Sequence, residues 1–404
     1  MNRQISTTIL VVALAAALSG FVLAEAPTDP IAQRKADALK FIADVERLYP
    51  YFDLKGIKKD WEGRKGDWRR RAESLQNDQE LVVLFGDCIE ALRDGSAKLD
   101  GLSVTPTARI PEYWSGLSFG EPDDKRVLLV TDATWCYPEA KMGAEVLTID
   151  GKNPRVILKE TADMLWRRGG NFSSPQRATW LAWKFGLRGG RDDVHKVVLQ
   201  IGKVKSEITT ANALFIKLDP KLETKMPDMK TTNSNKFCSY KLLDGGIGYV
   251  CLSWMMPTGE SAINEAMKAM GMPPNYIIDI SDAGGSDYCT LAGLTPYRDH
   301  IVALIGPGTT GFGELYARDL VTNCGAKLFG AQTAGAASVT ETMDLPRRLG
   351  KLIYSVSSQQ GLGKPIEFNG ITPDVRTYYD QKELVAGISV PLEAAKKHFA
   401  PKKK

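Results

Sequence analysis

The side chains that could serve metal or acid–base chemistry are few and widely spaced in this chain. The three histidines, His195, His300 and His398, are scattered, and none of the six cysteines has the spacing of a metal ligand: Cys88, Cys136, Cys238, Cys251, Cys289 and Cys324. Structural zinc sites take their ligands from short, regular spacings of these two residue types. The sequence therefore predicts no metal site, and it indicates no cofactor.

Hydroxyl groups at Thr309, Thr310 and Ser338 are possible nucleophiles, but each needs a positioned base. His300 is the nearest histidine along the chain, and it opens a predicted strand at 301–306. At ~3.3 Å per residue this places it roughly 20 Å from Thr310. Cys289 and Cys324 are possible thiol nucleophiles, although disulfide-bonded or buried thiols are the favoured interpretation.

One cysteine pair can be argued from strand register. Two strands, Phe237 to Leu242 and Ile247 to Trp254, are predicted on either side of an Asp244-Gly245 turn. A two-residue turn at that point places Cys238 opposite Cys251 in the closer class of antiparallel pair, where a disulfide fits. The alternative is two buried thiols.

The elements that must position these groups fall into three regions. Residues 27–100 are predicted to be helical, because Asp29-Pro30 is a helix start and Leu39, Ile42, Val45 and Leu48 follow near helical spacing. A third helix is predicted from about Asp78 to Gly95. Trp61 and Trp68, seven residues apart, are predicted to pack the middle helix against the other two.

The second region, 102–216, is predicted to be rich in strands, with short apolar or alternating runs at 127–130, 145–149 and 197–201. Asp150-Gly151 is a predicted turn, and Gln176 to Phe185 a predicted helix. Residues 218–236, rich in Lys, Pro, Thr and Asn, are predicted to form a linker.

The third region, 237–398, alternates strands and helices. Apolar strands are predicted at 247–254, 276–281 and 301–306, and helices at 260–271 and 312–323. Nearly continuous apolar runs such as Ile301 to Ile305 are typical of a sheet that is covered on both faces. The pattern predicts an α/β core.

The first 24 residues have the pattern of a secretory signal. Arg3 supplies a charged start, Ile9 to Leu18 is a short apolar run, and Val22-Leu23-Ala24 offers a cleavage site. A membrane anchor is the alternative, but the run is shorter than the ~20 apolar residues that a bilayer requires. We therefore expect an exported protein, periplasmic or extracellular, without a stable membrane span after signal removal.

Composition argues against nucleic-acid binding. The chain carries 52 Lys and Arg against 48 Asp and Glu, a net charge of only +4, and no basic stripe is interleaved with aromatic residues. Lys402 to Lys404 are interpreted as a solvated tail. Oligomeric state has no signature in the sequence.

Eight stretches, in order along the chain, together resemble the S41 peptidases, the family of tail-specific proteases and the tricorn core. They are 48–53 with Trp61, Leu92-Arg93-Asp94-Gly95-Ser96, 143–151, 246–250, 276–279 with Gly284-Gly285, 309–315, 330–335 and 367–374. The resemblance implies an α/β fold with a helical N-terminal domain, a PDZ-like β domain and a crotonase/ClpP-like S41 core.

The resemblance also implies where the chemistry should be. The family's nucleophilic serine lies three residues before a glutamate, which is Glu314 here, so the nucleophile position is Gly311. The position of a lysine base is Ala336, and that of a histidine base in the other branch is Ser96. Glu367 matches the glutamate that supports the histidine.

Backbone groups are implied to be retained where side chains are not. The N–H groups of Gly285 and Phe312 match the family's oxyanion donors, although residues 279–283 are one residue shorter than the family pattern. The expected function is a catalytically inactive pseudo-peptidase that binds peptides or protein C-termini. The alternative is an active serine-type endopeptidase that uses other residues.

Overall fold

The computed structural model of the protein describes residues 29–104, 113–131, 133–134, 136–169, 173–190, 193–212, 214–215, 233–234, 238–285 and 287–400. The helices among them are α1 Pro30–Leu48, α2 Lys58–Ala72, α3 Asp78–Ala91, α4 Pro154–Arg168, α5 Pro175–Lys184, α6 Gly259–Ala269, α7 Phe312–Cys324, α8 Gln381–Val385 and α9 Val390–Phe399. The strands are β1 Lys98–Asp100, β2 Tyr113–Trp114, β3 Phe119–Gly120, β4 Leu128–Leu129, β5 Glu145–Ile149, β6 Arg188–Gly189, β7 Val194–Ile201, β8 Val204–Ala211, β9 Leu214–Phe215, β10 Asn233–Ser234, β11 Cys238–Leu243, β12 Ile247–Leu252, β13 Trp254–Met255, β14 Asn275–Asp279, β15 Gly284–Gly285, β16 Ile301–Ile305, β17 Lys327–Gly330, β18 Ser338–Asp344, β19 Lys351–Ser358 and β20 Val375–Arg376.

The N-terminal region forms the three helices predicted from its sequence. The Asp29 carboxylate accepts a hydrogen bond from the N–H of Ile31 and caps α1, which ends at Leu48 before Pro50. The rings of Trp61 and Trp68 pack edge to face, with their centroids 4.8 Å apart, inside the three-helix cluster.

A hairpin from far along the chain completes this helical core. The strands β18 and β19 pair with each other and β19 pairs with β1. Leu345, Leu349, Leu352 and Tyr354 of this hairpin are buried in the same cluster as the helices. The helical region is thus physically joined to residues 338–358, which the sequence pattern assigned only to the third region.

The second region contains a five-stranded sheet in the order β3-β4-β5-β7-β8 and a three-stranded sheet in the order β6-β2-β9. Asp150 and Gly151 make the predicted turn, both with positive φ. Helix α4 was not predicted, although Asn153 caps it immediately before Pro154, the same signature that begins α1.

The third region is built on a seven-stranded sheet in the order β10-β11-β12-β14-β16-β17-β20. Five strands of this sheet run parallel: β12, β14, β16, β17 and β20. Their alternate residues enter different apolar clusters. Val250 and Ile278 pack on the side of α6 and α7, whereas Tyr249 and Ile277 pack on the side of α9. The prediction of a sheet covered on both faces is confirmed.

The predicted pairing of Cys238 with Cys251 is wrong. The turn contains three residues, Asp244 to Gly246, because Leu243 pairs directly with Ile247. This one-residue shift places Cys238 opposite Leu252 and Cys251 opposite Ser239. Neighbouring residues of a strand point to opposite faces, and the two thiols accordingly lie in the two different clusters of the sheet.

Some expectations fall on residues whose structure is not described. They are the signal at residues 1–24, the tail at 402–404 and most of the linker at 218–236, of which 233–234 form β10. Within the described part of the chain, no helix is both long enough and apolar enough to cross a bilayer.

Candidate functional site

The turn between β16 and α7 contains Gly311, the position at which the resemblance implies a nucleophile. Gly311 is the N-cap of α7, with φ 57° and ψ −119°, a backbone conformation that is costly for any residue with a side chain. A Cβ atom built there would have no neighbour closer than the carbonyl oxygen of Ala336, at 3.8 Å. The space for a side chain is therefore present, and hydrogen occupies it.

Glu314 ties this turn to the loop that contains the lysine-base position. One carboxylate oxygen accepts hydrogen bonds from the Thr333 hydroxyl at 2.5 Å and the Gly335 N–H at 2.8 Å. The other accepts from the N–H groups of Gly311 at 3.2 Å and Ala336 at 2.7 Å. The positions predicted for the nucleophile and the lysine base are thus held beside the same carboxylate.

The environment of Glu314 opposes its charge. Complete burial raises the pKa of its carboxyl to about 7, although the four hydrogen bonds that it accepts act in the opposite direction. No cation contacts it directly among the described residues. The turn is therefore stabilised by a buried carboxyl group that is compensated mainly by hydrogen-bond donors, with the Arg177 guanidinium near enough to interact through its charge.

The two predicted oxyanion donors lie next to each other. A Cβ atom built on Gly285 would lie 3.0 Å from the Cβ of Phe312, the first residue of α7. The N–H of Gly284 donates to the carbonyl of Ser253, the residue just before β13. Successive N–H groups of a strand point to opposite sides, so the N–H of Gly285 points away from β13. Phe312 is in the first turn of α7, and the N–H groups of a first turn have no acceptor within the helix.

A buried ion pair occupies the place where the resemblance implies a histidine and its supporting glutamate. The Lys55 ammonium lies 2.6 Å from a Glu367 carboxylate oxygen and 3.8 Å from Asp94, and all three side chains are fully buried. Lys55 also donates to the carbonyl of Arg93 at 2.9 Å. Lys55 comes from the segment between α1 and α2, so this pair joins the helical region to the core.

The predicted histidine-base position, Ser96, borders the same group. Its N–H donates to the Asp94 carboxylate at 2.8 Å. Burial and the Asp94 charge raise the pKa of Glu367 to about 7, although Lys55 and Ser338 act in the opposite direction. A polar chain therefore runs from Ser96 through Asp94 and Lys55 to Glu367.

Ser338 links this series of polar groups to the turn that contains Gly311. Its hydroxyl donates to the second Glu367 oxygen at 2.9 Å and lies 3.3 Å from the Tyr51 hydroxyl. Ser338 follows Ala336 by two residues, and Ala336 is bound to Glu314. The four predicted positions, Gly311, Ala336, Ser96 and Glu367, are thus connected by hydrogen bonds, by the Lys55 ion pairs and by the backbone of residues 336–338.

Of the other candidate hydroxyl groups, that of Thr309 is committed to the backbone. The Thr309 hydroxyl is buried, donates to the carbonyl of Ile280 at 2.7 Å and accepts from the N–H of Gly306. His300 lies at the opposite end of its strand and contacts Asn275. Among the described residues, no group of three or more histidine, cysteine, aspartate or glutamate side chains could hold a metal ion.

Sequence reasoning missed Lys55. Its only sequence signal is its position two residues beyond the family-like stretch that ends at Asp53, and a single lysine in a helical connection is usually exposed. The second region was also not expected to buttress the turn. The Ser174 hydroxyl donates to the Ala334 carbonyl at 2.5 Å, and the Arg177 guanidinium donates to the Pro307 carbonyl.

Comparisons with known proteins agree with this architecture. No protein-family model and no curated protein matches the sequence. Solved structures do match: mature CPAF, at 13% identity and a TM-score of 0.58 over 90% of this chain and 97% of that chain, and CPAF complexed with lactacystin, at 12% identity and 0.56 over 90% and 98%. The photosystem II D1 C-terminal processing protease matches at 16% identity and 0.40, over 87% and 96%.

These structural neighbours show that the chain has the fold of mature CPAF. At such low identities the likeness concerns the fold alone.

Replacement of Lys55 tests the buried ion pair. Lys55→Met leaves Asp94 and Glu367 as unpaired buried carboxylates, and we expect it to lower the free energy of unfolding by about 3–5 kcal/mol. The double variant Lys55→Met/Glu367→Gln should regain part of this loss, because one of the two charges is removed. Urea denaturation of both variants measures the coupling, with Lys59→Met as an exposed control on α2. Wild-type stability in Lys55→Met would contradict the assignment.

The raised pKa of Glu314 predicts a pH dependence. Its value of about 7 in the folded protein exceeds the ordinary 4.5, so the folded state binds this proton more readily than the unfolded chain. Stability should then fall as pH rises from 4.5 to 7 and stay level above it. At 1.36 kcal/mol per pKa unit the loss is about 3 kcal/mol.

Glu314→Gln removes this titration, and its free energy of unfolding should change less than that of the wild type between pH 5 and pH 8. Glu160→Gln, an exposed replacement on α4, should follow the wild type. Parallel pH profiles for the wild type and Glu314→Gln would show that Glu314 does not titrate in this range.

Proposed function

We propose that the protein is an exported, catalytically inactive relative of the tail-specific proteases that binds peptides or protein C-termini without cutting them. The observation that carries the proposal is the state of the centre. The turn is braced by Glu314 and Gly285 lies beside Phe312, while glycine stands at the predicted nucleophile position and alanine at the predicted lysine-base position.

Cleavage of a peptide bond requires a nucleophile whose proton passes to a base while backbone donors hold the developing oxyanion. Gly311 offers hydrogen and Ala336 offers methyl, so the first two requirements lack their atoms. Donors alone would polarise a bound carbonyl without attacking it. The same donors still favour binding of a peptide oxygen.

The alternative, an active serine-type endopeptidase, would use non-standard residues such as Ser338 or Thr310. The Ser338 hydroxyl donates to the Glu367 carboxylate at 2.9 Å, as the Thr333 hydroxyl does to Glu314 at 2.5 Å. The Lys55 ammonium contacts the other oxygen of Glu367, but burial and the Asp94 charge outweigh it and raise the pKa of Glu367 to about 7. The preference for an inactive protein therefore rests on the glycine at position 311 and the alanine at position 336.

The second region offers a further place for a peptide. In its five-stranded sheet β8 is an edge strand of eight residues, and an edge strand can pair with an added peptide strand. The resemblance of 143–151 to the end of a PDZ module motivates the proposal that this region binds free C-termini. Export is proposed from the signal-like pattern of residues 1–24.

Loss of catalysis predicts that purified protein neither cleaves casein nor reacts with a fluorophosphonate probe for active serines. Gly311→Ser should remain inert because no base accompanies the new hydroxyl. It should also lose about 1–3 kcal/mol of stability, since φ 57° disfavours a side chain. Cleavage by the wild-type protein that disappears in Ser338→Ala or Thr310→Ala would establish the alternative, and mass spectrometry of the products measures it.

Recognition of C-termini predicts a dependence on the free carboxylate. A set of hexapeptides with apolar last residues should bind at least about tenfold more tightly with a free carboxylate than as the C-terminal amides, a difference of about 1.4 kcal/mol. Isothermal titration calorimetry with each matched pair measures this. Equal affinities within the pairs would remove the C-terminus-binding role from the second region.

A further inference from the structure

A large aromatic side chain is exposed beside the turn that contains Gly311. Trp254 belongs to β13, which pairs in parallel with the glycine strand β15, and half of the Trp254 surface is open to solvent at 50%. Its neighbour Met255 is buried at 1%. Because the two residues point to opposite faces of a strand, Met255 anchors the strand in the core and Trp254 is left on the open side.

The indole forms an apolar floor next to the nucleophile position. A Cβ atom built on Gly284 would lie 3.3 Å from Cζ3 of Trp254 and 3.6 Å from the methyl group of Thr310. The ring therefore lies against glycine backbone and close to the residue before Gly311. A Cβ atom at position 284 would make a tight contact with the indole, so the glycine allows the ring to pack closely on the β15 backbone.

Peptide-binding groups lie one residue further along the same strand. Gly285 directs its N–H away from β13, and Phe312, whose N–H lies in the first turn of α7, is the neighbouring residue. Two such N–H groups can donate to one oxygen atom. A peptide carbonyl placed there brings the adjoining side chain within one residue spacing, ~3.3 Å along the chain, of the Trp254 floor.

Charge decides which oxygen fits best. The Glu314 carboxylate accepts the N–H of Gly311 at 3.2 Å, directly behind the turn. A second carboxylate at the half-buried Gly285 and Phe312 would lie near Glu314, and it would be disfavoured by like charge whenever Glu314 is ionised. A neutral carbonyl from within a peptide carries no such cost.

We infer that this cleft, lined by Trp254, Gly284 and Thr310, binds an internal, extended peptide segment that places a large apolar side chain on the Trp254 indole. The carbonyl oxygen of the segment accepts hydrogen bonds from Gly285 and Phe312. The inference rests on the proposed peptide-binding function and assigns to Trp254 the choice of residue. It is separate from the recognition of free C-termini in the second region.

The test uses full-length protein and decapeptides that are acetylated and amidated, so that no terminal charge takes part. The decapeptides alternate Ser and Ala and carry Leu, Phe or Gly at a central position. We expect the Leu and Phe peptides to bind the wild type about tenfold more tightly than the Gly peptide. Trp254→Ala should abolish this preference, so that all three peptides bind it with affinities within about twofold of one another, and Trp254→Phe should retain most of the preference.

Leu242→Ala is the matched control, because Leu242 is an apolar side chain that is likewise 50% exposed and lies beside the β11–β12 turn, at the edge of the sheet opposite the β16–α7 turn. Circular dichroism of each variant verifies folding. A preference for Leu and Phe that survives in Trp254→Ala would overturn the inference but leave peptide binding intact. If none of the blocked or free peptides binds the wild type, the proposed function itself is wrong.

Discussion

The arrangement of the site depends on one buried ion pair between Lys55 and Glu367. Its members come from segments more than 300 residues apart, and the 2.6 Å contact is shielded completely from water. Two buried carboxylates, Asp94 and Glu367, would repel each other without the ammonium between them. The pair therefore fixes the helical region on the core and sets the position of Ser338 and Ser96 around it.

The second constraint is Glu314, which keeps the shape of a catalytic turn where no catalysis is expected. Its carboxylate gathers three backbone N–H groups and one hydroxyl, and it thereby joins the start of α7 to residues 333–336. The N–H groups of Gly285 and Phe312 belong to the backbone, so substitution of side chains cannot remove them. The shape of the turn is consequently a property of the fold, whereas the proposed loss of hydrolysis rests on the side chains that Gly311 and Ala336 lack.

Local signals predicted most of the helices and the central strands well. The Asp29 cap, the helical apolar spacing after it and the continuous apolar run at 301–305 each specify an element through contacts between near neighbours. Where the structure departed from expectation, the deciding contacts were distant or the turn was misjudged. The hairpin of β18 and β19 is buried by helices some 250 residues away, and one additional glycine in the turn at 244–246 shifted the register of Cys238 and Cys251.

The sequence by itself determined what the centre lacks: glycine at 311 and alanine at 336 carry no reactive group, whatever the surroundings. It also determined the two N–H donors, since any chain that makes this turn supplies them. Only the tertiary structure decided which side chains surround Glu367 near the predicted histidine-base position. Lys55, Asp94, Glu367 and Ser338 belong to separate segments that meet only on folding. Ion pairing and burial depend on distance in space, and spacing along the chain does not encode that distance for residues so far apart.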